Sequence, residues 1–222
     1  MFNILTYTYL LPPVLLLIFW TKLKQEKGSL WVPIYALFFF FLILFEEKIT
    51  TTKFSTRFYY QFFTFFEYLF FTGIFWLVIK SRIVRIIIVI LSVAFSIFQI
   101  VYFLMAKFKR IDSIPIGIES ILVLIYIFYF FYELLREPKG RHLWENYSFW
   151  FAIGILIYLS GSFFMNILAN VMDRQEIDSY WFFTYIADII KNLFLVIGLI
   201  VMSRQTPNQE RVKKNLPYLD MN

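Results

Sequence analysis

Seven apolar segments follow one another along this chain with only short polar connections between them. Crossing the hydrocarbon core takes about 20 apolar helical residues. Inside a bilayer no water satisfies the backbone N–H and C=O groups, so a succession of such segments has to fold as bundled helices. The segments run from Leu5 to Trp20, Ser29 to Phe45, Phe58 to Ile79, Ile83 to Met105, Ile111 to Leu135, Tyr147 to Val171 and Tyr180 to Met202. The expected fold class is all-α: a polytopic membrane bundle of seven transmembrane helices over residues 1–202, with a polar cytoplasmic tail over 203–222.

Local signals refine this outline. No basic residue precedes the first segment and no small-residue cleavage pattern follows it, so it is expected to be a retained helix, kinked or broken at Pro12 and Pro13. Pro33 falls in the first turn of the second helix, where a missing N–H costs little. Asp112, Ser113 and Pro115 open the fifth segment as an N-cap followed by proline. The connection from Glu46 to Arg57 is expected as a loop, and Phe38 to Phe41 are expected to face lipid.

Composition excludes several functions. The residues are 60% hydrophobic, with no cysteine and a single histidine, His142, in an expected loop. Thiolate chemistry, disulfides and multi-histidine zinc sites are therefore out of reach. No cofactor and no enzymatic activity are expected. A net charge of +6 would suggest nucleic acid in a soluble chain. Here topology accounts for it. The first, third and fifth loops and the tail, with Arg85 added, carry thirteen Lys and Arg, against seven in the alternate loops. Basic loops stay cytoplasmic, which places the N-terminus outside and the C-terminus inside.

The residues that demand explanation are polar ones within the apolar segments. Charges at membrane depth cost roughly 2.5–3.5 kcal/mol each on insertion scales and face the bundle interior, paired. Asp188, Lys191 and Asn192 lie in the middle of the seventh segment, Glu67 in the third, Gln99 in the fourth, Glu119 in the fifth and Asn166 in the sixth. Counted from the outer ends at about 1.5 Å per residue, most of these fall in one layer roughly 6–17 Å deep. Helical spacing groups Tyr60, Thr64 and Glu67 on one face, then Ser92, Ser96 and Gln99, then Ser113, Gly117 and Ser120 with Glu119 at the flank. Ser162, Asn166 and Asn170 share a face of the sixth segment, and Thr184, Asp188 and Asn192 one of the seventh. The expectation is that the last five helices surround a site for a small polar or cationic ligand while the first two pack outside. The alternative is that the layer only mediates helix packing, as small and polar residues commonly do, Gly154, Gly161, Ser160 and Gly117 above all. Three carboxylates and one lysine do not neutralise each other, so a proton, a cation or a cationic ligand is implied.

Two functions fit this pattern best. A sensor or receptor would use the site for a ligand and Arg136 to Arg141 with the tail as an output surface for a cytoplasmic signalling partner. A small-solute or proton-coupled transporter would use the same cluster, with prolines interrupting its helices. A retinal protein is disfavoured because Asp188 lies three residues before Lys191 rather than four, and an intramembrane enzyme because no nucleophile motif accompanies the carboxylates. The bilayer is the expected partner throughout, with no nucleic acid. The stretches IDSIPIGIES (Ile111 to Ser120) and DIIKN (Asp188 to Asn192) resemble those of a group of small seven-helix bacterial integral membrane proteins of unassigned function, over the third to seventh helices. The resemblance implies an inner-membrane protein centred on those two stretches and supplies no reaction or ligand.

Overall fold

A computed structural model describes residues 2–23, 28–105, 113–136, 142–168 and 174–204. Among these the fold is all-α. The first segment forms three short pieces, α1 (Phe2–Thr8), α2 (Leu11–Ile18) and α3 (Trp20–Leu23). The break falls at Tyr9 and Leu10, ahead of the prolines, which sit in the first turn of α2. Pro12 and Pro13 have no N–H to donate back to Thr8 and Tyr9, so the ladder cannot cross from α1 and restarts beyond them. This break leaves Tyr9 at a turn with its side chain fully buried.

The next elements are α4 (Trp31–Leu44), α5 (Glu46–Ile49), α6 (Lys53–Val78), α7 (Arg82–Met105) and α8 (Ser113–Arg136). A single 3-10 turn, Leu143–Glu145, precedes α9 (Tyr147–Leu168) and α10 (Arg174–Arg204). The expected loop before the third segment is largely helical. Thr52 and Ser55 form a reciprocal cap, Ser55 N–H donating to Thr52 Oγ1 at 3.1 Å and Thr52 N–H to Ser55 Oγ at 2.9 Å. Capping of this kind satisfies two orphan donors, so α6 starts at Lys53 rather than at Phe58. At its start α10 likewise extends six residues beyond the apolar segment, to Arg174. The N-cap expected at Asp112 and the tail beyond 204 lie outside the described residues.

Among the described residues, four helices are long and apolar enough to cross a membrane: Phe54–Val78, Arg82–Met105, Ile114–Arg136 and Tyr180–Arg204. Ile4–Ile18, Trp31–Leu44 and Tyr147–Phe163 are shorter apolar stretches. Packing runs in a closed circuit, α10 on α9, α9 on α8, α8 on α6, α6 on α4, α4 on α1 and α2, and these on α10. α7 packs on α6 and α8 from outside this circuit, burying only Ile88, Phe95 and Gln99.

Glycine sets the closest approach in the circuit. A Cβ at Gly154 would lie 2.7 Å from Phe194 Cβ and 3.2 Å from the Lys191 carbonyl oxygen, and one at Gly161 would lie 2.7 Å from Ala187 Cβ. These two positions bring α9 against α10, as expected of small residues in membrane helices. Gly117 does not share that role, since nothing stands within 4 Å of where its Cβ would be, and Ser160 is exposed. The Phe38 to Phe41 run also departs from expectation. Four consecutive helical residues point around most of the helix, and Phe39 is fully buried against Tyr9, Tyr35 and Phe63 while Phe41 faces outward.

Candidate functional site

The site is built around Lys191, which is 0% exposed in the middle of α10. Its ammonium has three protons to place and no acceptor capacity. Asp188, one turn earlier on the same helix, takes one through Oδ1 as an ion pair. Tyr35 OH on α4 accepts another at 2.6 Å, and Tyr9 OH at the α1–α2 break accepts the third at 3.1 Å. Tyr9 OH in turn donates toward the Asp188 carboxylate, 2.9 Å from Oδ1 and 2.8 Å from Oδ2. Lysine, aspartate and the two tyrosines thus form one closed set.

Aromatic faces complete the surroundings. Lys191 Nζ lies 4.1 Å from the centroid of the Tyr158 ring, 5.1 Å from Tyr9, 5.2 Å from Tyr35 and 5.8 Å from Phe71. Ring quadrupoles attract a cation at such distances, by about 2 kcal/mol or more when it is desolvated. Tyr158 also carries the set outward, because its hydroxyl donates to Glu67 Oε2 at 3.0 Å. Position follows from sequence here: Gly154 draws α9 onto the Lys191 backbone, and Tyr158 is one turn further along the same face.

Among the described residues, charge in this interior does not balance. Glu67, Glu119 and Asp188 are all buried, at 6%, 2% and 7% exposure, and Asp188 already answers Lys191. Glu119 lies within electrostatic reach of both Glu67 and Lys191. Glu67 Oε1 and Glu119 Oε1 are each buried without a hydrogen-bond partner among the described residues. An unmet buried acceptor on a carboxyl group costs at least about 1–3 kcal/mol, so the arrangement is suited to accepting a proton or a small cation. No group of three His, Cys, Asp or Glu side chains among the described residues could hold a metal ion.

No protein-family model, no curated protein and no solved structure matches the chain.

The sequence-expected residues divide into four groups. Glu67, Glu119, Asp188 and Lys191 form the cluster just described. Asn192 is fully buried beside it but faces α1, its Nδ2 donating to Thr8 Oγ1 at 2.9 Å while Oδ1 stays without a partner among the described residues. Gln99 is buried apart from the ion pair, on the peripheral helix α7, where Gln61 of α6 donates from Nε2 to its Oε1 and its backbone carbonyl. Asn166 lies on α9, and its side chain lies outside the described residues, as does Asn170.

One expectation is overturned. The first two apolar segments do not pack outside the polar interior, because Tyr9 and Tyr35 supply two of the three acceptors for Lys191. The fourth segment takes the outer place instead. A tyrosine in an apolar run reads as an interface residue, so nothing in its own surroundings marks Tyr35. Tyr9 carried one signal, its position just before a proline pair that must interrupt the helix.

Proposed function

We propose that the chain is a multi-pass protein of the cell membrane, with seven helical segments, the N-terminus outside and the C-terminus in the cytoplasm, whose buried cluster binds a proton or a small cation and passes its occupancy on as helix movement. Four apolar helices of membrane-crossing length support the membrane setting. The observation that carries the binding reading is the pair of unmet carboxyl oxygens on Glu67 and Glu119, beside a lysine whose three protons are already placed. Adding one positive charge there satisfies acceptors that the protein leaves open.

Sensing follows from how the cluster is held. Tyr9 and Tyr35 tie α1, α2 and α4 to α10, and Tyr158 ties α9 and α6 to the same lysine. A charge arriving at Glu67 changes the hydrogen bond from Tyr158 and through it the environment of Lys191. Helices that end on the expected cytoplasmic side would carry that change to a signalling partner.

The break at Tyr9 and Leu10 favours a second reading, proton-coupled transport, because carriers place interrupted helices beside polar sites at mid-membrane. The test is the thermal midpoint of the purified protein against pH and against sodium, potassium and ammonium, for wild type, Glu67→Gln and Glu119→Gln. Binding stabilises by RT ln(1 + [L]/Kd), about 2.7 kcal/mol at a hundredfold excess. The proposal expects a saturable response in wild type that both variants lose; equal responses in all three contradict it. A pH-sensitive dye inside proteoliposomes separates the two readings, since only a carrier moves the ion across.

A further inference from the structure

A second feature stands at the opposite end of the molecule from the expected outer layer. Gly28, the C-terminal part of α6, the first turns of α7 and α9 and the last turn of α10 enclose a partly open cavity of about 310 Å³. Its wall is apolar and aromatic, with Trp31, Ile74, Leu77, Phe151 and Met202, and among the described residues a single charged side chain, Arg85, lines it. The guanidinium carbon of Arg85 lies 5.9 Å from the Trp76 ring centroid, and its Nε is buried without a hydrogen-bond partner among the described residues.

Glu133 of α8 accepts from Lys80 N–H at 2.9 Å and from Ser81 N–H at 3.0 Å, capping the turn into α7. Arg85 Nε is thus a buried donor with no acceptor among the described residues, beside an apolar cavity, at the end of the bundle that also carries Lys80, Arg82 and Arg204. Guanidinium is the side chain best matched to a phosphate or carboxylate. Basic sites between membrane helices on the cytoplasmic side take anionic headgroups.

We propose that this cavity binds an anionic amphiphile, its phosphate or carboxylate on Arg85 and its chain among Trp31, Ile74, Leu77 and Phe151. The volume is at the small end of the roughly 300–1,000 Å³ typical of ligand clefts, which suits one chain. The same chemistry can come from an anionic phospholipid of the bilayer or from a free fatty anion. This site is independent of the Lys191 cluster, and either can fail without the other.

The experiment places the full chain in nanodiscs of phosphatidylcholine and titrates phosphatidylglycerol of the same chain length, reading the thermal midpoint. Wild type should show a saturable rise. Arg85→Gln should weaken the apparent affinity about tenfold, roughly the worth of one charge-assisted contact, while Arg85→Lys keeps most of it and Arg82→Gln, an exposed neighbour, leaves it unchanged. Leu77→Trp fills the cavity from a residue that is 41% exposed and should weaken binding with Arg85 intact. If laurate gives the Arg85-dependent rise and phosphatidylglycerol does not, the site takes the free anion. A response to neither, or a loss in Arg82→Gln equal to that in Arg85→Gln, overturns the proposal, because a diffuse basic surface would then account for the binding.

Discussion

Lys191 and Tyr158 stand cation to ring, with Nζ 4.1 Å from the ring centroid, and the same ring's hydroxyl donates to Glu67 at 3.0 Å. One side chain thus joins the only buried lysine among the described residues to Glu67, one of the two carboxyl groups that have an open acceptor there. The contact depends on how closely α9 can approach α10, and that distance is set by Gly154.

Tyr158 can be dissected by two substitutions. Tyr158→Phe keeps the ring over Lys191 and removes the bond to Glu67, and should cost about 1–3 kcal/mol as that carboxyl loses its donor. Tyr158→Leu removes both and should cost more. Unfolding in detergent monitored by circular dichroism checks the order, and equal costs would show that the ring contact contributes nothing.

Gly154→Ala should destabilise by about 1–3 kcal/mol, because a methyl group there meets Phe194 Cβ at 2.7 Å and helix backbone at 3.2 Å. Gly117→Ala meets nothing and should be neutral or stabilising by about 0.4–1 kcal/mol. The same unfolding assay compares them.

Lys191→Met leaves Asp188 buried without its counter-charge and should cost about 3–5 kcal/mol. Asp188→Asn combined with Lys191→Met removes both charges and should recover much of that loss. A double-mutant cycle reads the coupling, expected at about 0.5–3 kcal/mol; strictly additive losses would mean that the pair is not held as described.

Orientation has its own check. A reporter fused after Asn222 should be active on the cytoplasmic side, as the bias of Lys and Arg among the loops requires. Activity only on the outer side would reverse the topology.

The sequence reveals the charge pair and conceals its partners for a physical reason. Lys191 and Asp188 are three apart on one helix, so their meeting follows from local geometry. Glu67 and Glu119 could be assigned to the interior because a bilayer penalises them elsewhere. Tyr9 and Tyr35 carry no such penalty, since a tyrosine is at home in a core, at an interface or in lipid contact, and only tertiary packing turns their hydroxyls onto Lys191. Gln99 misleads in the opposite way. Its burial was foreseeable, but its helix lies outside the packed circuit and its amide is answered by Gln61. Helix ends were least legible where polar residues cap or extend them, as Thr52 and Ser55 do before α6.

The most direct test of the central claim is infrared difference spectroscopy of the carboxyl groups on a pH step, and separately on addition of sodium, potassium or ammonium, in wild type, Glu67→Gln and Glu119→Gln. A binding cluster predicts a carboxyl band that changes with proton or cation in wild type and is lost or shifted in each variant. A spectrum that is indifferent to both, with the variants merely less stable, would contradict the account and leave the polar interior as a device for holding helices together.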